Sequence, residues 1–94
     1  MEKQWLDQVS QLGCIVCLIH YHVWSPCEIH HINGGDNHLE SIGLCLMHHR
    51  SGVCNEECVS RHPYKNAFVG RYGSEAELLS KTKEMLKWED NASE

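Results

Sequence analysis

Apolar residues recur at helical spacing near the amino terminus. Trp5, Val9 and Leu12 lie three to four positions apart, with Leu6 beside them, a pattern typical of one short amphipathic helix. Gly13 follows directly, and glycine is a common helix terminator. The pattern therefore predicts a helix over 1–12 that leads straight into the first cysteine.

A second helix is predicted near the carboxyl terminus. Ser74 and Glu77 have the spacing of a capping box, in which each side chain bonds the backbone N–H of the other residue. An apolar stripe follows with charged residues on its other side, which predicts a helix over about 74–88 that serves packing rather than chemistry. The polar and acidic residues 89–94 predict a disordered tail.

The middle of the chain has shorter patterns. Residues 14–32 are rich in β-branched and aromatic residues and are broken by Ser25 and Pro26, which predicts two short strands or extended segments around a turn. His20 and His22 alternate with apolar neighbours, as on one face of a strand. Residues 33–37 predict a loop, and 42–53 predict a short strand or turn that enters a helix. The expected order is β, β, loop, α.

Length and charge set limits on the function. The chain has 94 residues, enough for one domain over 1–94 with a motif core of about 12–70. Its formal charge of −5 is unusual for a nucleic-acid enzyme, because DNA affinity comes from Lys and Arg on phosphates. Bound cations, together with local clustering of Arg50, Arg61, Lys65 and Arg71, could reverse the sign of the charge at one face, and DNA affinity of the protein on its own is expected to be weak.

The six cysteines raise the question of compartment. The first twelve residues lack the apolar core of a signal peptide, and no stretch reaches the roughly 18 apolar residues of a membrane span. A cytoplasmic protein with reduced thiols and no membrane association is expected. A secreted domain with three disulfides remains the alternative, and six titratable thiols after chelation would exclude it.

Two pairs of candidate ligands have the same spacing. Cys14 and Cys17 form one Cys-x-x-Cys knuckle, and Cys45 and His48 form a second pair with two residues between them. Two residues between ligands let both side chains turn onto one tetrahedral ion. The sequence predicts a structural zinc bound by these four residues. The other cysteines compete for the fourth position but are expected to be simple thiols: Cys27, Cys54 and Cys58.

The remaining histidines are also paired. His30 and His31 are adjacent, and adjacent side chains in an extended segment point to opposite sides, so one can bind an ion while the other acts elsewhere. Hydrolysis of a phosphodiester needs a cation on the phosphate and a base near neutrality to activate water. A histidine doublet suits both needs.

The segments around both histidine doublets resemble the HNH (ββα-metal) endonuclease superfamily. The matching segments are Glu28-Ile29-His30-His31-Ile32 and Glu40-Ser41-Ile42-Gly43-Leu44-Cys45-Leu46-Met47-His48-His49-Arg50. Segments 12–17, 25–32, 49–50 and 68–79 are further similar to the phage recombination-enhancement nucleases that act with RecA. The resemblance covers about residues 12–79 and implies a small α+β domain, with a ββα-metal motif, a zinc knuckle and flanking helices.

The resemblance also implies the roles of single residues. His30, His49 and His62 would hold one catalytic divalent metal, which Mg²⁺, Mn²⁺, Ni²⁺ or Zn²⁺ could provide. His31 would be the general base that deprotonates water for in-line attack, leaving a 5′ phosphate and a 3′ hydroxyl. Separately from the resemblance, Arg50 directly follows the second doublet and is a candidate for contacting a phosphate, with a solvated surface charge as the alternative. DNA is the implied substrate, and a RecA filament is the implied partner.

The sequence departs from the superfamily pattern at one central position. Where the pattern has an asparagine that orients the base, this chain has Glu40. Asn33, Asn37 or a backbone carbonyl could replace it. His38, in the same loop, is expected to be exposed to solvent. A longer spacing between the second doublet and His62 is a further departure.

A second class of function keeps the zinc without catalysis. In that reading the chain is a binding module for nucleic acid or protein built on the same knuckles. The feature that separates the two readings is His31, because a structural site has no use for an uncoordinated histidine beside a ligand. The larger aromatic residues are expected in the core: Trp5, Trp24, Phe68, Tyr72 and Trp88.

Overall fold

A computed structural model of the protein describes residues 2–32 and 37–88. In chain order the elements are α1 (Glu2–Leu12), a π-helical turn (Cys17–Tyr21), β1 (Glu28–His31), β2 (Ser41–Leu44), α2 (Leu46–His49), α3 (Lys65–Tyr72) and α4 (Glu75–Leu86). The predicted fold class, α+β with a two-stranded sheet, a following helix and flanking helices, is confirmed. The expected tail at 89–94 and most of the loop at 33–37 lie outside the described residues.

The sheet is an antiparallel hairpin that positions both histidines of β1. In its register, His30 is opposite Ile42 and His31 is opposite Ser41. Every residue of β2 is buried. A side chain at Gly43 would lie 2.6 Å from both Cys27 Sγ and the Gly13 carbonyl oxygen, so only glycine lets the strand pass this closely.

The two terminal helices have the ends that their sequences predict. Gly13 ends α1 with a φ of 85°, a conformation that costs glycine little. At the start of α4, Glu77 N donates to Ser74 Oγ at 3.0 Å and Ser74 N donates to Glu77 Oε1 at 2.8 Å. The predicted capping box is therefore confirmed. In the described part of the chain, no helix combines the length and the apolar composition needed to cross a membrane.

The prediction of two strands within 14–32 is wrong in its first half. Ile15 and Val16 are helical and lead into the π-helical turn, so only Glu28–His31 is a strand. The cause is local, because Cys17 N donates to Cys14 Sγ at 3.4 Å and Leu18 N donates to the Cys14 carbonyl at 3.1 Å. The cysteine knuckle thus begins a helical turn, and the hairpin pairs Glu28–His31 with Ser41–Leu44 instead.

The core lies between α1, the hairpin and the two carboxyl-terminal helices. Trp5, Phe68 and Tyr72 are buried in it, as predicted. Trp88 lies against Trp5 with ring centroids 5.2 Å apart. The prediction was wrong for Trp24, which is 59% exposed and bonds through its ring N–H to the Gln11 carbonyl.

Candidate functional site

Three sulfur atoms and one imidazole nitrogen converge beside α2. The ligand atoms of Cys14, Cys17, Cys45 and His48 all lie within 4.8 Å of one another. His48 Nδ1 is 3.1 Å from Cys45 Sγ, 3.6 Å from Cys17 Sγ and 3.8 Å from Cys14 Sγ. Zinc holds sulfur at about 2.3 Å and nitrogen at about 2.0 Å in a tetrahedron, so neighbouring ligands should be about 3.5–3.8 Å apart. The donor set and most of its spacings fit one tetrahedral zinc ion.

Two short local structures present these ligands. The knuckle at Cys14 and Cys17 opens the helical turn after Gly13. Cys45 is the N-cap of α2, and its carbonyl accepts hydrogen bonds from the backbone N–H groups of both His48 and His49. The structure thus brings together the four residues selected from the sequence. Zinc binding by them stays a prediction, which the donor geometry supports.

The surroundings of this cluster favour a charged ligand within it. A hydrogen bond with Cys14, together with contact with His48, lowers the pKa of Cys45 to about 3. The same hydrogen bond and burial raise the pKa of Cys14. Tyr21 stacks on the His48 ring at 5.5 Å between centroids. His48 Nε2 is buried without a hydrogen-bond partner among the described residues, so Nδ1 is the atom of this ring with polar contacts.

The other three cysteines lie outside the cluster. Cys27 Sγ approaches the Val9 carbonyl at 3.7 Å, and Cys58 Sγ approaches the Met47 carbonyl at 3.5 Å. Cys54 is exposed, and all six cysteines are free thiols in the structure. The reading of these three as simple thiols agrees with their contacts.

A second cluster consists of three histidines from three parts of the chain. His30 comes from β1, His49 from the last turn of α2 and His62 from the segment between α2 and α3, and one nitrogen of each lies within 4.8 Å of the others. His30 Nδ1 is 3.3 Å from His49 Nε2. Two imidazole ligands about 2.0–2.1 Å from a tetrahedral ion would be separated by about 3.3 Å. The spacing therefore fits coordination of one ion.

Two carboxylates fix which nitrogen of the His30 ring and of the His49 ring faces the cluster. Glu75 Oε1 is 2.9 Å from His30 Nε2, and Glu28 Oε1 is 2.8 Å from His49 Nδ1. An ionised carboxylate only accepts hydrogen bonds, so these two nitrogens carry the protons. The lone pairs of His30 Nδ1 and His49 Nε2 are left facing each other, as metal ligands require.

Arginines in turn hold these carboxylates. Arg61 Nε donates to Glu75 Oε2 at 2.5 Å. Arg50 donates to Glu28 from Nε, at 3.0 and 3.1 Å to its two oxygens, and from Nη2 at 2.7 Å. His30 and His49 are therefore each backed by a carboxylate and then by a guanidinium.

The pKa values follow from these contacts. Hydrogen bonds from Arg50 and then from His49 lower the pKa of Glu28 to about 2. Burial acts to raise the pKa of Glu75, but hydrogen bonds from His30 and Arg61 outweigh burial and lower it. Burial lowers the pKa of His30. At neutral pH the carboxylates are ionised and His30 is neutral, which is the form that binds a metal.

His31 lies outside the three-histidine cluster, on the face of β1 opposite to His30. Its Nε2 is 2.8 Å from Nδ1 of His38, and the two rings are tilted with centroids 5.0 Å apart. His38 is half-buried, so the expectation that it is an exposed loop residue was wrong. The structure gives His31 a specific partner that its sequence neighbours did not indicate.

Other sequence expectations are corrected by the same contacts. His20 and His22 do not share a strand face, because His20 is in the π-helical turn and His22 caps it with a φ of 59°. Arg50 and Arg61 do not create a surplus of positive charge, because each is paired with a carboxylate. A phosphate contact by Arg50 stays a prediction.

Sequence reasoning missed three polar residues of the site. Glu28 stands two positions before His30 and therefore on the same strand face, so that spacing was a usable signal. For His38, the position of a histidine in the loop was a weaker signal of a role in the site. Glu75 gave none, because its contact with His30 spans 45 positions, and its helix was assigned to packing alone.

Comparison with known proteins identifies the family of this chain. A search of curated proteins finds no match. The sequence model of one family, described as recombination enhancement, RecA-dependent nuclease, matches residues 1–87. That span contains both clusters and every element of the fold. The chain therefore belongs to the family of recombination-enhancement, RecA-dependent nucleases.

Proposed function

We propose that this protein is a metal-dependent DNA endonuclease of the HNH class, with a divalent ion held by His30, His49 and His62 and with His31 as general base. The observation that carries the proposal is the pair of nitrogen atoms His30 Nδ1 and His49 Nε2. They face each other at 3.3 Å while the opposite nitrogen of each ring bonds a carboxylate. The four-ligand cluster already provides every ligand that a structural zinc needs. A purely structural module would have no use for a second set of histidines held in the coordinating orientation.

The order of elements supports the HNH class. The hairpin of β1 and β2 leads directly into α2, with His30 on the first strand and His49 on the helix. The four-ligand cluster ties the start of α2 to the knuckle that precedes β1. The proposed structural zinc therefore fixes the helix that carries His49 relative to the strand that carries His30.

The proposed mechanism assigns one task to each residue. A divalent ion, when bound, would offset negative charge on the scissile phosphate and on the leaving oxygen. His30 and His49 are held in the coordinating orientation by their carboxylates. His31 takes the proton from water, the oxygen attacks phosphorus in line, and the 3′ oxygen leaves, which gives a 5′ phosphate and a 3′ hydroxyl. Arg50 has a 60% exposed side chain, so the guanidinium edge away from Glu28 is accessible to a phosphate oxygen.

The charge of the chain supports a role for RecA in delivering the DNA. The net charge is −5, and the guanidinium groups of Arg50 and Arg61 are both paired. The carboxylates offset the charge of these two guanidinium groups, and affinity for naked DNA depends on cations that neutralise phosphates. We propose that the substrate is DNA within a RecA filament, in agreement with the family's description.

The test is cleavage of plasmid and circular single-stranded DNA, each naked or coated with RecA and ATP. The zinc-loaded protein is assayed with Mg²⁺ and with added Mn²⁺, Ni²⁺ or Zn²⁺. We expect cleavage that depends on the RecA coat. His31→Ala should lose about 100- to 10,000-fold in rate, the usual contribution of a general base, and His49→Ala should also be inactive while remaining folded.

His22→Asn is the matched control. His22 is exposed, lies outside both clusters and has a φ of 59°, which asparagine tolerates. This variant should cleave at the wild-type rate. Wild-type activity in either His31→Ala or His49→Ala would refute the proposal. Cleavage of no substrate with any of these metals would favour the zinc-based binding module instead.

A further inference from the structure

The side chain that contacts the proposed general base comes from the loop where the HNH asparagine is missing. His38 Nδ1 lies 2.8 Å from His31 Nε2. Glu40, which aligns with that asparagine, has an exposed side chain and contributes through its backbone, where its carbonyl accepts from Ile32 N at 2.9 Å. The position next to the base is thus filled by a histidine two residues earlier.

The backbone around His38 is held from several sides. Ser41 Oγ donates to the His38 carbonyl at 2.6 Å, and the indole N–H of the buried Trp5 donates to Ser41 Oγ at 3.1 Å. Asn37 Oδ1 accepts from Leu39 N at 2.9 Å within the same turn. These bonds link His38 to α1 and to β2, so the imidazole is presented by anchored structure.

The bond between the two rings contains one proton, and its direction decides which nitrogen of His31 can act. If His31 Nε2 accepted this proton from His38, the lone pair of Nε2 would be occupied and Nδ1 would carry the hydrogen of the His31 ring. Neither nitrogen of His31 could then remove a proton from water. A neutral His31 can remove a proton from water at Nδ1 only if its Nε2 carries the hydrogen and donates to His38 Nδ1. The same bond strengthens when His31 becomes positively charged.

We propose that His38 is a positioning residue for the general base: its Nδ1 accepts the proton of His31 Nε2, fixing the His31 ring and leaving its Nδ1 free to act. This inference rests on the proposed function, in which His31 is the base. It also explains why Glu40 can stand where an orienting asparagine is expected.

A matched pair of substitutions tests the inference. Asparagine places its Oδ1 one bond from Cγ, as histidine places Nδ1, so His38→Asn keeps an acceptor facing His31. His38→Leu has nearly the same shape as asparagine and no acceptor. On RecA-coated DNA we expect His38→Leu to lose about 10- to 100-fold in kcat, the equivalent of one hydrogen bond to a charged group. KM should stay within about twofold, because His38 acts through His31. His38→Asn should recover most of the rate.

A second readout is independent of cleavage. Nitrogen-15 NMR of the zinc-loaded protein reports which His31 nitrogen carries hydrogen. Wild type and His38→Asn should show a hydrogen on Nε2, and His38→Leu should show a mixture of the two tautomers. Melting temperatures of both variants identify any loss of folding, and if His38→Leu is unfolded the tautomer in wild type and in His38→Asn decides.

The outcomes separate the two claims. If His31→Ala cleaves as well as wild type, the proposed function falls, and the inference with it. If His31→Ala is inactive while His38→Leu keeps the wild-type kcat, the inference alone is overturned. A hydrogen on His31 Nδ1 in the wild-type protein would also overturn it.

Discussion

Replacing Glu75 by glutamine tests whether the carboxylate behind His30 supports the histidine cluster. Glu75 is buried and accepts hydrogen bonds from His30 Nε2 and Arg61 Nε. Glutamine has the same shape but only one acceptor oxygen, so it cannot satisfy both donors. If its NH₂ group faces His30, the ring must move its proton to Nδ1, the atom that faces the other ligands.

The expected magnitude follows from the burial of this pair. Removing one partner of a buried ion pair costs about 3–5 kcal/mol. The Arg61 side chain is 14% exposed, so water replaces part of the lost contact, and a loss of about 3 kcal/mol is expected. For a domain of this size that is a decrease of about 12–24 °C in melting temperature. Loss of a partner behind a ligand histidine also lowers metal affinity by about 10- to 100-fold.

Two measurements on the zinc-loaded protein check this prediction. Circular dichroism gives the melting temperature, and calorimetric titration with Mn²⁺ gives the affinity of the second site. Glu84→Gln is the matched control, because Glu84 is an exposed carboxylate of the same helix, and it should melt within about 3 °C of wild type. Wild-type Mn²⁺ affinity in a folded Glu75→Gln would show that Glu75 does not hold His30 for metal binding.

Three further predictions concern other contacts. Cys14→Ser should lose zinc and unfold, because the binding energy of a structural zinc is largely folding energy. The control variant Cys54→Ser, at an exposed cysteine, should keep its zinc and its circular dichroism spectrum. An unchanged circular dichroism spectrum in Cys14→Ser would contradict the zinc site. Arg50→Ala should cleave RecA-coated DNA about tenfold more slowly with a near-normal melting temperature, because exposed salt bridges stabilise little; a normal rate would remove Arg50 from the mechanism. Hydrogen bonds from Ser74 lower the pKa of Glu77 below 4.5, so the stabilisation by its carboxylate is complete above that pH and is lost as pH falls through the lowered pKa. The difference in melting temperature between wild type and Glu77→Ala should therefore narrow as the pH falls from about 6 to about 3.5. A difference that stays constant over this range would show that the charge of the Glu77 carboxylate does not stabilise the helix.

The ends of the helices and the pairs of ligands in the four-ligand cluster were predictable because their signals are local, whereas the three-histidine cluster was expected only from the family resemblance. Gly13 and the Ser74 capping box depend on residues within three or four positions of one another. The two cysteine and histidine pairs have a spacing that one tetrahedral ion dictates, and the structure does bring them together. Local stereochemistry of this kind can be read from one sequence.

The segment before β1 was misread because its composition and its ligands favour different structures. The β-branched and aromatic residues of 14–32 favour strands, but the knuckle requires the Cys17 N–H to turn back to Cys14 Sγ. That local bond starts a helical turn, which overrides residue propensity. Trp24 follows this turn and lies on the surface, where its ring N–H bonds the Gln11 carbonyl.

The partners of the site histidines could not be predicted because they depend on tertiary packing. Glu75 reaches His30 only when α4 lies against the sheet, and Arg61 then reaches Glu75 from a separate segment. A capping-box helix looks the same in a sequence whether its first turn faces solvent or a buried histidine. The pairing of His31 with His38 similarly depends on the tertiary position of His38, whose carbonyl accepts from Ser41 Oγ at the start of β2.

The most direct test of the central claim is a crystal structure grown with zinc and Mn²⁺, with metals located by anomalous scattering. Two peaks are predicted: zinc among Cys14, Cys17, Cys45 and His48, and Mn²⁺ bound by His30 Nδ1, His49 Nε2 and His62. The carboxylates of Glu75 and Glu28 should keep their bonds to the opposite ring nitrogens. A structure with the zinc peak but no metal at the three histidines, at millimolar Mn²⁺, would contradict the proposed catalytic centre.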